Sequence, residues 1–319
     1  MVTNAGDLVH SLSRLLLKTL RPSARAFFEE GRAEGLSWPE LLHGYAYARW
    51  PYLYIGIAMG KRRLATLLLL PLVLLLARHR PPFPPKGRPH PDWADSYHGK
   101  ALPLDEATRL VRVNRPVELR DLEQVVPYSL ARDIVLKNPE RITLLDCPCR
   151  VVREKHCEPV SVCLIVGEPF ASFILEHNPG RSRPITQEQA VRILQEEDAR
   201  GHVHHAFFKE AMLGRFYAIC NCCSCCCGAM QAQRHGIPML CSSGFLCRVD
   251  EEACVGCGQC MDHCQFQALA VRDKRCFVDT DRCMGCGVCA GACAKSALSL
   301  VRAPEKGAPL EIRKLLGTA

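Results

Sequence analysis

The sequence predicts an α+β chain: a Leu-rich helical N-terminal region, a cysteine-rich α/β segment, and a small C-terminal module built twice over. Three observations carry this. Residues 1–80 are rich in leucine and lack cysteine. Helix-like and strand-like patterns alternate across 101–245. Within 246–303 a cysteine pattern repeats at a constant offset, the mark of one supersecondary unit in two copies. A chain of 319 residues has room for about two domains at ~150 residues each. The expected layout is a helical region over 1–80, a Pro-rich linker over 81–100, a cysteine-rich α/β domain over 101–245, the duplicated domain over 246–303, and a tail over 304–319.

Near the N-terminus, Leu8, Leu12, Leu15 and Leu16 make an amphipathic pattern broken by Asp7, Arg14 and Lys18. No apolar core followed by a small-residue cleavage site appears, so the segment does not read as a secretory signal. Residues 64–77 (LATLLLLPLVLLLA) are the most apolar stretch, fenced by basic residues on both sides. As a helix they reach only ~21 Å against a hydrocarbon core of ~30 Å. Pro71 also removes a backbone hydrogen bond. A buried or interfacial helix is expected, with peripheral membrane association through residues 61–80 as the membrane reading. Residues 81–100 hold six prolines and read as a linker or strap.

Further on, residues 104–113 and 129–137 read as helices, and 141–146 (RITLLD) as a strand ending at Cys147. Residues 160–167 are apolar and β-branched, a second strand. Residues 186–200 form a helix with Thr186 as N-cap and Glu/Gln in its first turns. Residues 215–220 (RFYAIC) are another strand. Strand ends followed by cysteine-rich loops suit metal binding, because rigid elements fix the ligands.

There are 21 cysteines. A disulfide scaffold would be short and secreted; this chain is long, and its cysteines cluster one to three residues apart. They are expected to be metal thiolates in a reducing cytoplasm. The duplicated part reads Cys254-x2-Cys257-x2-Cys260-x3-Cys264 and, 29 residues on, Cys283-x2-Cys286-x2-Cys289-x3-Cys293. Glycines 256, 258, 285 and 287 let the backbone wrap closely and aim N–H groups at sulfur. The pattern resembles the bacterial two-cluster ferredoxins over residues 248–303. The resemblance implies a ferredoxin-like fold holding two [4Fe–4S] clusters, the fourth cysteine of each run serving the other cube. Carried over, cluster one takes Cys254, Cys257, Cys260 and Cys293, and cluster two takes Cys283, Cys286, Cys289 and Cys264. The family usually has proline after the fourth cysteine, where this chain has Gln265 and Ala294; no ligand is lost by that.

Two more cysteine groups precede the repeat. One is Cys147, Cys149, Cys157 and Cys163; the other is Cys220, Cys222, Cys223, Cys225, Cys226 and Cys227. In an extended chain neighbours point to opposite faces, which would put Cys220 and Cys222 on one side and Cys223, Cys225 and Cys227 on the other. The groups can serve one centre each, share one, or bridge a larger one. Iron–sulfur, zinc and inert thiols are the competing readings, with at least one further iron–sulfur (or zinc) centre preferred. Arg150 and Arg153 are candidates to neutralise cluster charge. His156, His202, His204 and His205 lie nearby, and His202 and His204 share a face if 202–205 is extended. The CPCR run, Cys157, Cys163 and the CNCCSCCC run ahead of a ferredoxin repeat resemble a family of prokaryotic 4Fe–4S-binding proteins over most of residues 95–300. That resemblance implies clusters and supplies no substrate.

The formal charge of +8, from 41 Lys+Arg and 33 Asp+Glu, counts each cysteine as neutral. Two oxidised four-thiolate clusters at about −2 each bring it to roughly +4. No aromatic-plus-basic RNA motif is present, so no nucleic-acid partner is expected. Nor is there a G-x-G-x-x-G fingerprint or a Walker A sequence. The leading expectation is a cytoplasmic electron-transfer protein or subunit that passes electrons through [4Fe–4S] clusters to a redox partner protein. The alternatives are an oxidoreductase whose cysteine-rich domain holds a catalytic metal centre fed by the ferredoxin module, and a redox or metal sensor.

Overall fold

In a computed structural model, residues 20–62 and 92–317 are described. The fold is α+β. Its strands are β1 (Tyr97–Leu102), β2 (Val117–Leu119), β3 (Ile134–Asp146), β4 (Ser161–Glu168), β5 (Ser182–Ile185), β6 (Val203–Lys209), β7 (Arg215–Cys222), β8 (Leu240–Cys241), β9 (Phe245–Val249), β10 (Leu269–Arg272), β11 (Arg275–Val278) and β12 (Leu298–Arg302). Eight of them form one sheet in the order β2-β3-β4-β7-β6-β1-β8, with β5 paired to β3. All its neighbours run antiparallel except β1 and β8. The remaining four make two ribbons, β10-β11 and β9-β12.

Strand alternation sends successive side chains to opposite faces, and each face has its own core. Leu145, Ile165, Phe207 and Ala218 face one layer. Leu144, Leu164, Phe208 and Ile219 face the other. The first layer is the N-terminal region: helices Pro22–Ala33, Trp38–Arg49 and Pro51–Ala58 lay Phe27, Phe28, Leu41 and Tyr47 against it, beside the helix Phe170–His177. The second layer is Leu104–Val111 and Gln187–Ala199. Burying a side chain such as Phe27 or Phe173 contributes about 1.5–3 kcal/mol. Helix Gln187–Ala199 starts as expected: the Thr186 hydroxyl accepts from Gln189 N at 3.2 Å, and Gln189 Oε1 accepts from Thr186 N at 3.0 Å.

Several expectations change. Residues 129–137 are not a helix: Ala131 takes a left-handed φ of 54°, and Ile134 begins the long strand β3. The β-branched pair Ile134-Val135 is buried between β2 and the core, where a strand suits it better than a helix. Within 81–100, residues 92–100 form a short helix and most of β1, whose His98 and Lys100 are buried in the sheet, so the linker does not extend that far. The expected tail is anchored as well. Leu310 and Ile312 are buried in the second core, and Lys100 Nζ donates to Ala308 O at 2.8 Å. The amphipathic pattern before residue 20 and the apolar run at 64–77 lie outside the described residues. Among those described, no helix is long and apolar enough to cross a membrane.

Candidate metal centres

Ten of the thiols ahead of the repeat gather in one region of the sheet domain. The CPC run sits on the turn from β3 into the helix Pro148–Val151, Cys163 lies on β4, and Cys220 and Cys222 end β7. These elements border one largely apolar cavity of about 60 Å³. Eight thiols line it: Cys147, Cys149, Cys163, Cys220, Cys222, Cys223, Cys226 and Cys227. Its roof is the N-terminal region, through Tyr47, Ala48, Pro51 and Ile55. Tyr47 and Tyr217 meet hydroxyl to hydroxyl at 2.7 Å on its wall, and burial pushes both well above the ordinary tyrosine range. The neighbouring Cys149 thiol, and then burial, push the Cys147 thiol up to about 12. Without metal Cys147 stays protonated, so a metal that binds it displaces its proton.

A close-set group is Cys157, Cys223, Cys225 and Cys226, whose sulfurs all lie within 4.8 Å of one another. Alternation along 220–227 therefore holds only as far as Cys222. There β7 ends, and the turn over 223–226 leaves Cys225 exposed while Cys223 and Cys226 stay buried at the cavity that Cys227 also borders, at the N-terminus of helix Gly228–Arg234.

Arg150 and His202 work as struts. Arg150 is 1% exposed; its Nη2 donates to Glu197 Oε2 at 2.8 Å and to Asn221 O at 3.0 Å, and its Nη1 donates to Pro159 O. His202 Nδ1 lies 2.7 Å from the same Glu197 oxygen. Burial alone would raise the Glu197 carboxyl; the hydrogen bonds from His202 and Arg150 reverse that and hold it below its ordinary value. One residue beyond Cys149, Arg150 thus ties the CPC turn to the strand segment between Cys220 and Cys222. Its charge is matched by Glu197, while it also borders the thiol cavity. Arg153 binds Cys226 O at 3.0 Å. His204 meets Asn221 Oδ1 at 2.6 Å, on the face it shares with His202, while His205 is fully buried with both ring nitrogens unpartnered. His156 contacts Glu158 at the surface.

In the duplicated module, Gly258 and Gly287 cap the short helices Gln259–His263 and Val288–Gly291 in left-handed conformation. Gly256 and Gly285 have φ of 65° and 62°, and a Cβ there would stand 2.3 Å from Lys274 O and 2.1 Å from Phe245 O. Only glycine admits that approach. Cys264, Cys283, Cys286 and Cys289 line one small cavity together with Gly285 and Gly287. Ala268 N donates to Cys264 Sγ at 3.2 Å, the N–H···S contact that suits a cluster ligand. These donors fit a cube.

Two cysteines missed by the motif reading also sit here. Cys276 Sγ lies 3.7 Å from Cys260 Sγ, and Cys247 Sγ lies 3.6 Å from Cys289 Sγ. The signal was available: each stands seven residues before the first cysteine of its run, so the 29-residue offset covers five cysteines per copy.

A family model for the 4Fe-4S binding domain (Fer4) matches residues 248–270. With the clustered thiols, that match makes the chain an iron–sulfur, metal-binding protein. No curated protein and no solved structure matches it.

Proposed function

We propose that the chain is an electron-transfer protein or subunit that passes single electrons through two [4Fe–4S] clusters to a redox partner protein. The cavity that gathers Cys264 with Cys283, Cys286 and Cys289 supports this most strongly. A fourth thiol arriving from the other copy is what interleaved ligation requires, and it ties the two cubes into one unit. By the repeat, cluster one takes Cys254, Cys257, Cys260 and Cys293. Bound there, each cube supplies reversible one-electron storage. The chain's part is to hold the thiolates, exclude water with Leu269, Leu298 and the buried cysteines, and donate N–H groups to sulfur. A further iron–sulfur centre on Cys147, Cys149, Cys163, Cys220, Cys222 and Cys227 of the cavity would extend the route into the sheet domain. Ser224 N donates to Gln265 Oε1 at 2.8 Å, joining the two regions one residue from Cys264. Gln265 thus has a use where the ferredoxin pattern has proline. The protein acts in the cytoplasm, with at most peripheral membrane contact through residues 61–80; wash-resistant pelleting with membranes that disappears when those residues are deleted would overturn that part.

The apolar cavity beside the Tyr47 and Tyr217 hydroxyls favours a second reading, an oxidoreductase whose catalytic metal sits there. Electron counting tests the clusters on which both readings rest. The anaerobically reduced chain, mixed with excess oxidised cytochrome c, should deliver at least about two electrons without any added substrate, and Cys264→Ala and Cys293→Ala should each remove about one. A folded preparation with about four irons or fewer would overturn the two-cluster reading.

A further inference from the structure

We propose that Cys157, Cys223, Cys225 and Cys226 bind one zinc ion in tetrahedral thiolate coordination, separate from every iron–sulfur centre of the chain.

The spacing of the four sulfurs suits a single ion. Four thiolates on one ion with metal–sulfur bonds of ~2.3 Å form a tetrahedron whose edges are ~3.8 Å. A four-iron cube holds its thiolates farther apart, since each is bound to its own iron rather than sharing one. All four of these sulfurs lie within 4.8 Å of one another. Cys157 and Cys225 stand at 3.0 Å, and Cys225 and Cys226 at 3.6 Å. Among the described residues no other set of three or more metal-ligating side chains comes together that closely, the eight ferredoxin thiols included. The chain therefore carries two scales of thiol spacing, and this site has the single-ion scale. Neither copy of the 29-residue repeat supplies any of its ligands; Cys223 and Cys226 also border the neighbouring cavity, but none of its other six thiols joins the close-set group.

The turn that carries three of the ligands is also held from outside. Arg234 Nη1 donates to Ser224 O at 3.4 Å, Gln231 Nε2 to Cys225 O at 2.9 Å, and Arg153 Nε to Cys226 O at 3.0 Å. Arg153 Nη2 also donates to Gln231 Oε1 at 2.7 Å. Three successive carbonyls are thus pinned by side chains, leaving the sulfurs free for an ion; such outer partners orient metal ligands. Two of the three partners are arginines, which suit a Zn(Cys)4 unit of net charge about −2. Closed four-thiolate coordination leaves no open position, so the site is structural. It fastens the 157 loop to the 223–226 turn, and through Ser224 the turn meets Gln265 of the cluster module.

The test is metal analysis of the full chain, purified anaerobically from cells grown with both metals. About one zinc per chain is expected alongside the irons of the clusters. Cys157→Ser and Cys225→Ser, on separate segments, should each lose the zinc and leave iron and sulfide unchanged. Cobalt substituted for the zinc should give the intense visible bands of tetrahedral thiolate coordination. A chain without zinc overturns the proposal. So does a Cys225→Ser variant that loses iron with sulfide, which makes the site part of a cluster, or one iron without sulfide, which makes it a mononuclear iron site.

Discussion

Replacing Arg150 by methionine should damage the cysteine-rich half while sparing the ferredoxin module. Arg150 and Glu197 form an ion pair at 2.8 Å with side-chain exposures of 1% and 0%. Removing one partner of a buried pair costs about 3–5 kcal/mol when the other charge is left uncompensated; Arg200 and His202 still reach Glu197, so the lower end of that range is expected. Domains are stable by about 5–15 kcal/mol, so the loss is a large share of the whole. His202 would share Glu197 with Arg200 alone, at 3.1 Å and on the outer side, and the bonds to Pro159 O and Asn221 O would go too. The double variant Arg150→Met/Glu197→Leu removes both charges and should be less destabilised than the two single losses added together. Anaerobic guanidinium unfolding followed by circular dichroism gives the three stabilities. A loss below about 1 kcal/mol for Arg150→Met, or strict additivity in the double variant, would refute the reasoning.

Two shorter predictions follow from buried groups. His205 is fully enclosed without a partner, and burial lowers its pKa to about 3. The unfolded chain takes up that proton near pH 6.5 and the folded chain does not, so this contribution to stability is complete above pH 6.5 and declines as pH falls towards 3. Between pH 7 and 5 the cost is about 2 kcal/mol at 1.36 kcal/mol per unit; His205→Leu should lose that much less than the natural chain over the same interval, and equal slopes in parallel unfolding curves would contradict it. Cys276 offers a thiol to Cys260 Sγ at 3.7 Å. Losing a hydrogen bond of about 1 kcal/mol to a cluster ligand moves a one-electron potential by ~40 mV, so Cys276→Ala should make one cluster more negative by that order; an unchanged potential would show that the thiol makes no such bond.

Much of the site could be read from sequence because it is local. The Cys-x2-Cys runs, their glycines and the 29-residue offset are contiguous patterns, and strands ending at Cys147 and at Cys220–Cys222 follow from β-branched and aromatic runs. What escaped was set by tertiary contacts. Nothing in residues 129–137 shows that Ile134 will lie between β2 and the core, so the helical reading was open. The four-thiol site at the edge of the cavity depends on where β7 stops and on a loop that brings Cys157 to Cys225 across 68 positions. The pairing of Arg150 with Glu197 escaped because that partner lies 47 residues away on another element. That the N-terminal helices roof the cavity through Tyr47 and Pro51 follows only from packing. Cys247 and Cys276 are a different case: the same offset that defined the repeat includes them.

The central claim is that the chain stores and passes electrons on two interleaved clusters. A redox titration of the anaerobically purified full chain, followed by electron paramagnetic resonance, tests it most directly. The account predicts reversible one-electron reduction integrating to at least about two spins per chain, with the signal of one cluster, not both, lost in Cys264→Ala. A folded chain that shows no reducible cluster, or one spin at most, would contradict it.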